Sequence, residues 1–564
     1  MLKKFRLPIL LLALLMMVGM FFACNKKHTE GDNTGGGDTS GTAKEAVTLF
    51  ESGEFRYAIT FPRNGGGYES RAASALKATL REYTDVQPET LSDNAQYSEE
   101  KREILIGLTV YPESAEIYKD LKYGDYRIAE CGNKIVIAAY SESALNKAMS
   151  VFREMIGKVS SKDEGRILLP SDFETLACEV PLLSELPMIS ADKITTYCVS
   201  ANNSYVLAAE KTTQEAYTAV LSAVEAQGYE KYAEQEMAGN LFATYKNGEN
   251  VLNLSYFVNE KTVRMTVDSL SYTSLPAAKK NYLKQGTTTL NLLGVSESNF
   301  QNGMSLFIRT ADRRFVVFDG GQGAADAENL YNQLKASAAA VGRNDIEIAA
   351  WVITHAHSDH VGAFAPFLSK YSDSVKVDSL IISPTGTQYG SANGSAAEDD
   401  AMLAYRSAYG NGNVIIAHAG QTFWFADVRM DILFTLDAMM PYEFTDYNAA
   451  SIISRLQIGG KTVLMTGDAY MDTMDFVADT YGNLLKCDYL QVPHHGDQGG
   501  TIKAYKLMAP SELLWTAGPR LFDMVTTPGY RSYSQNIYLL DTMKLRGEHT
   551  HLAGVLGQVT EIKF

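Results

Sequence analysis

The sequence predicts an α+β protein built from several domains. The chain has 564 residues, which is long enough for about three domains. Short apolar runs with strand character alternate with segments of helical periodicity from about residue 50 onwards. The N-terminus carries a leader segment with an apolar run, and a Gly-rich stretch separates this leader from the folded part.

The leader contains three basic residues and then an apolar run over residues 7–23, which is short for a membrane span. A small residue, Ala23, directly precedes Cys24. Residues 1–24 therefore resemble a bacterial lipoprotein signal peptide, with Cys24 as the lipid-carrying residue; an ordinary secretory signal is the alternative. Residues 25–48 form a flexible linker. The resemblance implies a protein held at the cell membrane by a lipid anchor, on its extracytoplasmic face.

Residues 49–180 predict a first small α+β domain. Ser143 to Ile156 has apolar side chains on one helical face. The run Ile104-Leu-Ile-Gly-Leu-Thr, then Gly124-Asp-Tyr-Arg-Ile, then Lys134-Ile-Val-Ile and a helix resembles the small domain that precedes the barrel of β-hexosaminidases and α-glucuronidases. The resemblance implies a glycan as a candidate partner. A glycosidase is disfavoured because no barrel follows.

Residues 185–282 predict a second small α+β domain. A strand over 204–209 is followed by a helix over 213–232 and by an antiparallel set of strands. The predicted hairpin turns are Lys246-Asn-Gly-Glu and Asn259-Glu-Lys.

The densest chemical signal is Thr354-His-Ala-His-Ser-Asp-His360, which holds three of the nine histidines. Neutral imidazole and carboxylate are ligands that zinc prefers. His355 and His357 can point the same way from an extended segment. Asp359 and His360 follow a turn and can reach a second ion about 3.5–4 Å away. The alternative is a solvated loop that is rich in histidine.

Three other apolar strands end in polar residues. Arg314 to Phe318 leads to Asp319, Lys461 to Gly467 leads to Asp468, and Tyr489 to Pro493 leads to His494-His495. Strand ends are where loops build sites on a rigid scaffold.

In this order, Asp319, the HxHxDH motif, Asp468 and His494-His495 resemble the metallo-β-lactamase-fold hydrolases, over about residues 285–564. The resemblance implies a C-terminal αββα sandwich. The predicted fold is thus an α+β multidomain chain in which this sandwich follows two small α+β domains. Asn448 to Asp468 together with Val492-Pro-His-His-Gly496 resembles the competence-type branch, which includes hydrolase domains of DNA-uptake channels, and the phosphorylcholine esterases.

The resemblance also implies roles for individual residues. His355 and His357 bind one ion, Asp359 and His360 bind the other, and Asp468 bridges both. One of His494 and His495 completes the coordination of the second ion, while the other can contact substrate. Asp319 orients a ligand histidine. Asp359 and Asp468 are the catalytic candidates, because either can hydrogen-bond the attacking hydroxide. The ions are two divalent metals, zinc first, with manganese and iron as alternatives.

One departure from the family pattern concerns the third ligand of the first ion. A histidine usually lies between HxHxDH and the bridging aspartate, and this chain offers only His418 there. A surface or packed histidine is the alternative for His418. His549 and His551 form a second HxH pair near the C-terminus and are further candidates.

These inferences predict a surface-anchored, dinuclear metal-dependent hydrolase that uses a metal-bridged hydroxide on a phosphodiester or another ester. The substrate is a small molecule or a surface polymer. A net charge of −16 without a basic stripe argues against a long nucleic acid. The alternative is a glycan-facing lipoprotein that binds or scaffolds and carries a degenerate hydrolase domain.

Overall fold

The computed structural model describes residues 46–65, 67–161, 165–191, 193–200, 204–296, 302–385, 392–410, 412–442 and 446–564. The predicted signal peptide, Cys24 and the linker up to residue 45 lie outside these residues. No helix within the described ranges has both the length and the apolar character needed to cross a bilayer.

Residues 47–178 form two sheets with helices packed on them. The sheet orders are β2-β1-β9-β8 and β10-β6-β7-β5-β3-β4. The strands are β1 (Val47–Glu51), β2 (Glu54–Phe55), β3 (Ala58–Phe61), β4 (Thr90–Ser92), β5 (Glu103–Ile106), β6 (Asp125–Cys131), β7 (Lys134–Ala139), β8 (Ser160–Ser161), β9 (Arg166–Leu169) and β10 (Thr175–Cys178). The helices are α1 (Tyr68–Thr84), α2 (Pro112–Tyr118) and α3 (Glu142–Val159). The apolar faces of α1 and α3 share one core with these sheets.

Residues 193–269 form a six-stranded antiparallel sheet with the order β11-β12-β16-β15-β14-β13. Its elements are β11 (Lys193–Ser200), β12 (Ser204–Glu210), α4 (Gln214–Ala226), β13 (Glu230–Met237), β14 (Asn240–Lys246), β15 (Asn250–Phe257) and β16 (Thr262–Ser269). One face buries α4. On the other side, Met237, Phe242 and Phe257 join the core of the C-terminal region.

The helix predicted over 213–232 is shorter than expected. It ends at Ala226, and residues 230–237 form β13. Gly228 lies between them with φ +88°, a left-handed conformation that suits glycine and ends a helix. The predicted helix therefore merged a helix with the edge strand that follows it.

Residues 289–563 form two large sheets, with the orders β23-β22-β20-β19-β18-β17-β31, where β21 also pairs with β20, and β24-β25-β26-β27-β28-β29-β30. The strands are β17 (Thr289–Leu293), β18 (Ser305–Arg309), β19 (Phe315–Asp319), β20 (Ile346–Val352), β21 (Val375–Val377), β22 (Ser379–Ile382), β23 (Asn413–Ile416), β24 (Thr422–Phe425), β25 (Val428–Phe434), β26 (Ile453–Ile458), β27 (Lys461–Met465), β28 (Tyr489–Gln491), β29 (Glu512–Trp515), β30 (Thr550–Leu552) and β31 (Val559–Lys563). The α-helices are α5 (Ala324–Ala339), α6 (Ser358–Val361), α7 (Phe364–Tyr371), α8 (Ala392–Tyr409), α9 (Met471–Tyr481), α10 (Ile502–Met508), α11 (Pro519–Val525) and α12 (Tyr533–Ile537).

The two large sheets lie face to face between two layers of helices. Val316, Ile432 and Met465 belong to the apolar layer that both sheets share. The outer face of the β17–β23 sheet packs against α5, α7 and α8. The outer face of the β24–β30 sheet packs against α9, α10 and α11. The described chain is therefore a mixed α/β, multi-sheet protein, and the site below lies where strand ends of these two sheets meet.

Candidate metal centre

Both large sheets send polar residues to one common place. Strands β19 and β20 are parallel neighbours in one sheet, and β27 and β28 are parallel neighbours in the other. Strand β19 ends at Asp319, and the other three end three positions before the first residue of the HxHxDH motif, before Asp468 and before His494-His495 respectively. Carboxyl ends of parallel strands share an edge, so the topology converts four distant segments into one cluster.

Asp359, His360, Asp468 and His495 form that cluster, with their ligand atoms all within 4.8 Å of one another. Asp468 Oδ2 lies 3.0 Å from His360 Nε2 and 3.1 Å from His495 Nε2. The two Nε2 atoms are 3.3 Å apart, and Asp359 Oδ2 lies 3.5 Å and 3.8 Å from His495 and His360 respectively. A tetrahedral site with bonds of about 2.0–2.2 Å has edges of about 3.3–3.6 Å. The separations of 3.0–3.8 Å lie around this range, so small shifts bring the four donors around one ion.

The ring protons of His360 and His495 are fixed on the side away from the cluster. His360 Nδ1 donates to Asp319 Oδ2 at 2.7 Å. His495 Nδ1 donates to the Thr516 carbonyl at 2.6 Å. Such partners set the tautomer and leave the Nε2 lone pair for a metal. The role predicted for Asp319, to orient a ligand histidine, corresponds to its contact with His360.

His355 adds an unpaired nitrogen to the cluster. The Thr354 hydroxyl donates to Asp319 Oδ2 at 2.8 Å and lies 3.1 Å from His355 Nδ1, so it accepts the ring proton. His355 Nε2 is buried, has no hydrogen bond among the described residues, and lies 4.0 Å from Asp468 Oδ2. Asp468 Oδ1 is also buried without a partner there. Buried polar atoms are normally satisfied, so these two fit a site that receives a cation.

His357 lies at the solvent side of the cluster. Its Nδ1 donates to Asn448 Oδ1 at 2.8 Å, and its Nε2 lies 3.6 Å from Asp446 Oδ1. It is not one of the four grouped donors. The structure thus holds the His357 ring by a contact at Nδ1, as it holds His360, while the His357 Nε2 faces Asp446.

The two adjacent histidines differ in position. His495 joins the four-donor cluster, whereas His494 Nε2 lies 4.0 Å from Asp468 Oδ2 and 3.3 Å from Asn448 Nδ2. His494 also faces the ring of Tyr470 at 5.2 Å. Both histidines have positive φ, +50° and +54°, as does Asp319 at +54°. Left-handed backbone in non-glycine residues is costly and concentrates at functional sites.

The electrostatics follow from crowding carboxylates and imidazoles in a buried space. Burial opposes the charge on Asp468, yet His360 and His495 hold its pKa well below the usual range. Burial likewise disfavours His360 and His495 as cations, but the nearby carboxylates together outweigh it: Asp468, Asp319 and Asp359 hold the pKa of His360 well above its ordinary value, and Asp468 and Asp359 raise the pKa of His495 to about 9. Burial and His360 lower the pKa of His355. The cluster therefore attracts positive charge, which a divalent ion can supply in place of protons.

The other three histidine candidates are engaged elsewhere. His418 is buried between Asp268 and Asp437, at 2.9 Å from each. His549 and His551 both contact Glu512, at 3.1 Å each. Glu512 begins β29, at the strand end opposite to the cluster. None of the three belongs to the grouped donors found among the described residues.

Several residues of the site were not predicted from the sequence. Asn448 contacts His357 and His494, Thr354 relays to Asp319, and the Ser451 hydroxyl accepts from the Asp468 backbone N–H at 3.0 Å. Asn302 Nδ2 donates to Asp359 Oδ2 at 3.0 Å. Short polar residues are common in turns of all proteins, so their type alone does not identify them as site residues. The one clue in the sequence was their closeness to the ligand motifs, as for Thr354 beside His355.

Residues 299–514 match the model of the metallo-beta-lactamase superfamily. No curated protein matches the chain. Solved structures that resemble it include CmlA, a diiron beta-hydroxylase from Streptomyces venezuelae, at 14% identity and a TM-score of 0.31 over 51% of this chain and 55% of CmlA. They include a putative metal-dependent hydrolase from Parabacteroides distasonis, at 13% identity and a TM-score of 0.25 over 58% of this chain and 99% of that one.

A variant of a flavo di-iron protein from Thermotoga maritima is similar at 9% identity, with a TM-score of 0.21 over 58% of this chain and 73% of that one. The chain spans about half the length of CmlA. The family match covers the strands that carry Asp319, the HxHxDH motif, Asp468 and His494-His495. Residues 299–514 are a metallo-beta-lactamase superfamily domain.

Proposed function

We propose that this chain is a hydrolase that works with two divalent metal ions. The observation that carries the proposal is the four-donor cluster of Asp359, His360, Asp468 and His495, whose ligand atoms lie within 4.8 Å of one another, beside the unpaired Nε2 of His355. A satisfied structural network would leave no such nitrogen buried without a partner.

We assign the ligands to two ions that share Asp468. Asp359, His360 and His495 would hold one ion. His355 and His357 would hold the other. His494 would take the place of the usual third histidine, because His418, the only histidine between HxHxDH and Asp468, is bonded to Asp268 and Asp437. His355 and His494 both approach Asp468 Oδ2 at 4.0 Å. Since Asn448 Nδ2 also contacts His494 Nε2, at 3.3 Å, ion binding requires this long contact to open.

When bound, a pair of such ions lowers the pKa of a coordinated water and stabilises negative charge on the substrate. The chain's own residues prepare the site. Asp319 and Asn448 fix the rings of His360 and His357 by accepting their Nδ1 protons. Asp359 and Asp468, both ionised because their pKa values are lowered, are the carboxylates placed to hydrogen-bond the attacking group.

For the substrate we propose a phosphodiester or another ester, on a small molecule or a surface polymer. The resemblance of Asn448–Asp468 and of the Val492–Gly496 segment to the competence-type branch and the phosphorylcholine esterases supports this class. The net charge of −16 disfavours a long nucleic acid. We further propose that Cys24 anchors the protein to the outer side of a membrane. Acyl labelling of the full chain and of Cys24→Ala tests this anchor.

Metal content and turnover test the proposed function. Purified protein should contain close to two equivalents of zinc, manganese or iron, and it should hydrolyse at least one of a bis-phosphodiester, a phosphorylcholine ester, a lactone and a β-lactam. His357→Ala should lose this hydrolysis while its circular dichroism stays unchanged. His551→Ala is the matched control, because His551 contacts Glu512 instead of the cluster. Absence of bound metal, or turnover by His357→Ala equal to that of the control, would refute the proposal.

A further inference from the structure

A cavity with none of the metal-cluster residues in its wall lies where the β11–β16 sheet meets the C-terminal region. Its volume is about 440 Å³, which is within the range of small-molecule sites. The sheet supplies β13, β14 and β15, the segment before β17 supplies Pro276 to Lys279, and the turn around β24 supplies His418 to Trp424. Its walls contain none of the proposed metal ligands.

Part of the wall of this cavity belongs to a fixed polar network. His418 is held between Asp268 and Asp437, at 2.9 Å from each. Asn253 Oδ1 accepts from Gln421 Nε2 at 3.3 Å, and Asn253 Nδ2 donates to Asp268 Oδ2 at 3.4 Å. Because these groups hold one another, their remaining polar atoms point in set directions.

Two polar atoms of the wall are left over. Thr422 Oγ1 lies 2.6 Å from both the Gln235 amide and Asp431 Oδ1; its one proton goes to the Asp431 carboxylate, so the Gln235 NH₂ group donates to Thr422. The other amide atom of Gln235, its oxygen, is then buried without a hydrogen bond among the described residues. Asp437 Oδ2 is bonded to His418, while Asp437 Oδ1 is likewise buried without a hydrogen bond there. Ligand hydroxyls serve both atoms, since a hydroxyl donates to an oxygen acceptor.

The remaining wall mixes aromatic rings with small, hydroxyl-bearing and charged side chains such as Ser255, Thr266 and Arg429. Trp424, Tyr232 and Phe242 line it together with small side chains, and Lys279 lies 3.9 Å from the centre of the Trp424 ring at the exposed rim. A purely apolar ligand would leave the two buried polar atoms without a hydrogen bond. A small anion would lie against the Asp437 carboxylate. The ligand that suits the cavity carries several hydroxyls and one apolar face.

We propose that this cavity binds a carbohydrate of one or two rings, with Gln235 and Asp437 pairing to its hydroxyls. Exposed Tyr232, Glu234 and Lys279 form the entrance. The site stands apart from the metal cluster, so it selects or holds a glycan without taking part in hydrolysis. This inference is independent of the proposed hydrolase function.

The protein offers its own optical probe for the test. It has three tryptophans, of which Trp351 and Trp515 are fully buried and only Trp424 lines the cavity. Titrations of the full chain in the presence of a chelator would use cellobiose, N,N′-diacetylchitobiose and glucuronic acid, with inorganic phosphate as the anion arm. Tryptophan fluorescence and calorimetry would be recorded together. The chelator keeps the result separate from any metal-dependent activity.

We expect at least one sugar to give a saturable change in both signals. Gln235→Leu should weaken that binding by about tenfold or more. Gln457→Leu, at an exposed position on β26, should bind like the parent. In Trp424→Phe the fluorescence change should vanish while the heat of binding remains, which localises the site even if Gln235→Leu folds poorly. Binding of phosphate alone, no saturable sugar signal, or a fluorescence response that persists in Trp424→Phe would overturn the proposal.

Discussion

Asp319 accepts the Nδ1 proton of His360 at 2.7 Å, and neither side chain has any solvent exposure. Asp319 also accepts from the backbone N–H and the hydroxyl of Thr354, at 2.7 and 2.8 Å. One carboxylate thus fixes a proposed ligand ring and the backbone directly before His355. The orientation of the proposed ligands therefore depends on Asp319, although Asp319 is not itself a proposed ligand of either ion.

Asp319→Asn should weaken metal binding by about 10–100-fold, because an amide cannot accept on both oxygens and leaves the His360 ring less basic. Competition with a coloured chelator measures this affinity. Asp345→Asn, which changes an exposed carboxylate paired with Arg343, is the control. Equal affinities in the two variants would contradict the role of Asp319.

Asn448→Ala should lower kcat/KM by about 10–100-fold with little change in unfolding, because His357 loses the acceptor of its Nδ1 proton. Asn448→Asp keeps an acceptor for His357 but removes the amide donor to His494. It should therefore retain more of the affinity for the first ion than Asn448→Ala does. Steady-state kinetics and metal titration of both variants check this order, and the reverse order would count against it.

Gly496→Ala should destabilise the protein by about 1–3 kcal/mol more than Gly557→Ala. Both glycines have positive φ, +86° and +90°, so both substitutions carry the left-handed backbone cost of about 1–2 kcal/mol. A Cβ on Gly496 would meet the Trp515 ring at 2.5 Å, whereas nothing lies within 4 Å at Gly557. Urea unfolding measures the difference. Equal losses would show that the turn carrying His495 tolerates displacement.

The stabilisation that His418 provides should depend on pH. Burial disfavours its charge, but Asp437 and Asp268 outweigh this and raise its pKa to about 10 from an ordinary 6.5. Because the folded pKa is raised, the stabilisation is complete below 6.5 and is lost as the pH rises through about 10. At low pH, His418→Gln should cost about 3–5 kcal/mol, because it leaves two buried carboxylates without their cation.

Urea unfolding of both proteins across this pH range gives the measurement. The gap in unfolding free energy between the parent and His418→Gln should narrow steadily as pH rises. His549→Gln, at a histidine 43% exposed, should show no such gap. A gap that stays constant or widens with pH would show that His418 is not held as a cation.

The sequence predicted the parts of the fold and site that depend on local patterns. The HxHxDH motif, and polar residues after apolar strands, were enough to expect a metal centre in a C-terminal metallo-β-lactamase-fold domain, and in this coarse form the fold is confirmed. The roles of individual ligands, the domain boundaries and the lipid anchor at Cys24 stay predictions.

Features that depend on contacts between residues far apart in the chain could not be predicted from the sequence. His494 and His495 could not be separated, because their positions depend on two successive left-handed residues in a tight turn. Asn448 is more than 80 positions from His357, and no spacing rule links a turn amide to a ligand motif. His418 lies in the interval of the chain where the family has a third ligand. Its ring instead contacts Asp268, which belongs to a different sheet, and lines the cavity outside the metal cluster.

The proposed ligands come from opposite halves of the sandwich: Asp359 and His360 follow β20, whereas Asp468 and His495 follow β27 and β28. A single ion would thus bind ligands from both sheets and link the sheets at their shared rim. Without it, the His360–Asp468 contact, the hydrogen bond from the Ile452 N–H to the Thr354 carbonyl and the shared apolar layer are what join the halves near that rim. Chelation should therefore loosen the molecule first at this seam, so that amide hydrogens near Thr354 and Gly467 exchange with heavy water sooner than those at the far end of the same strands.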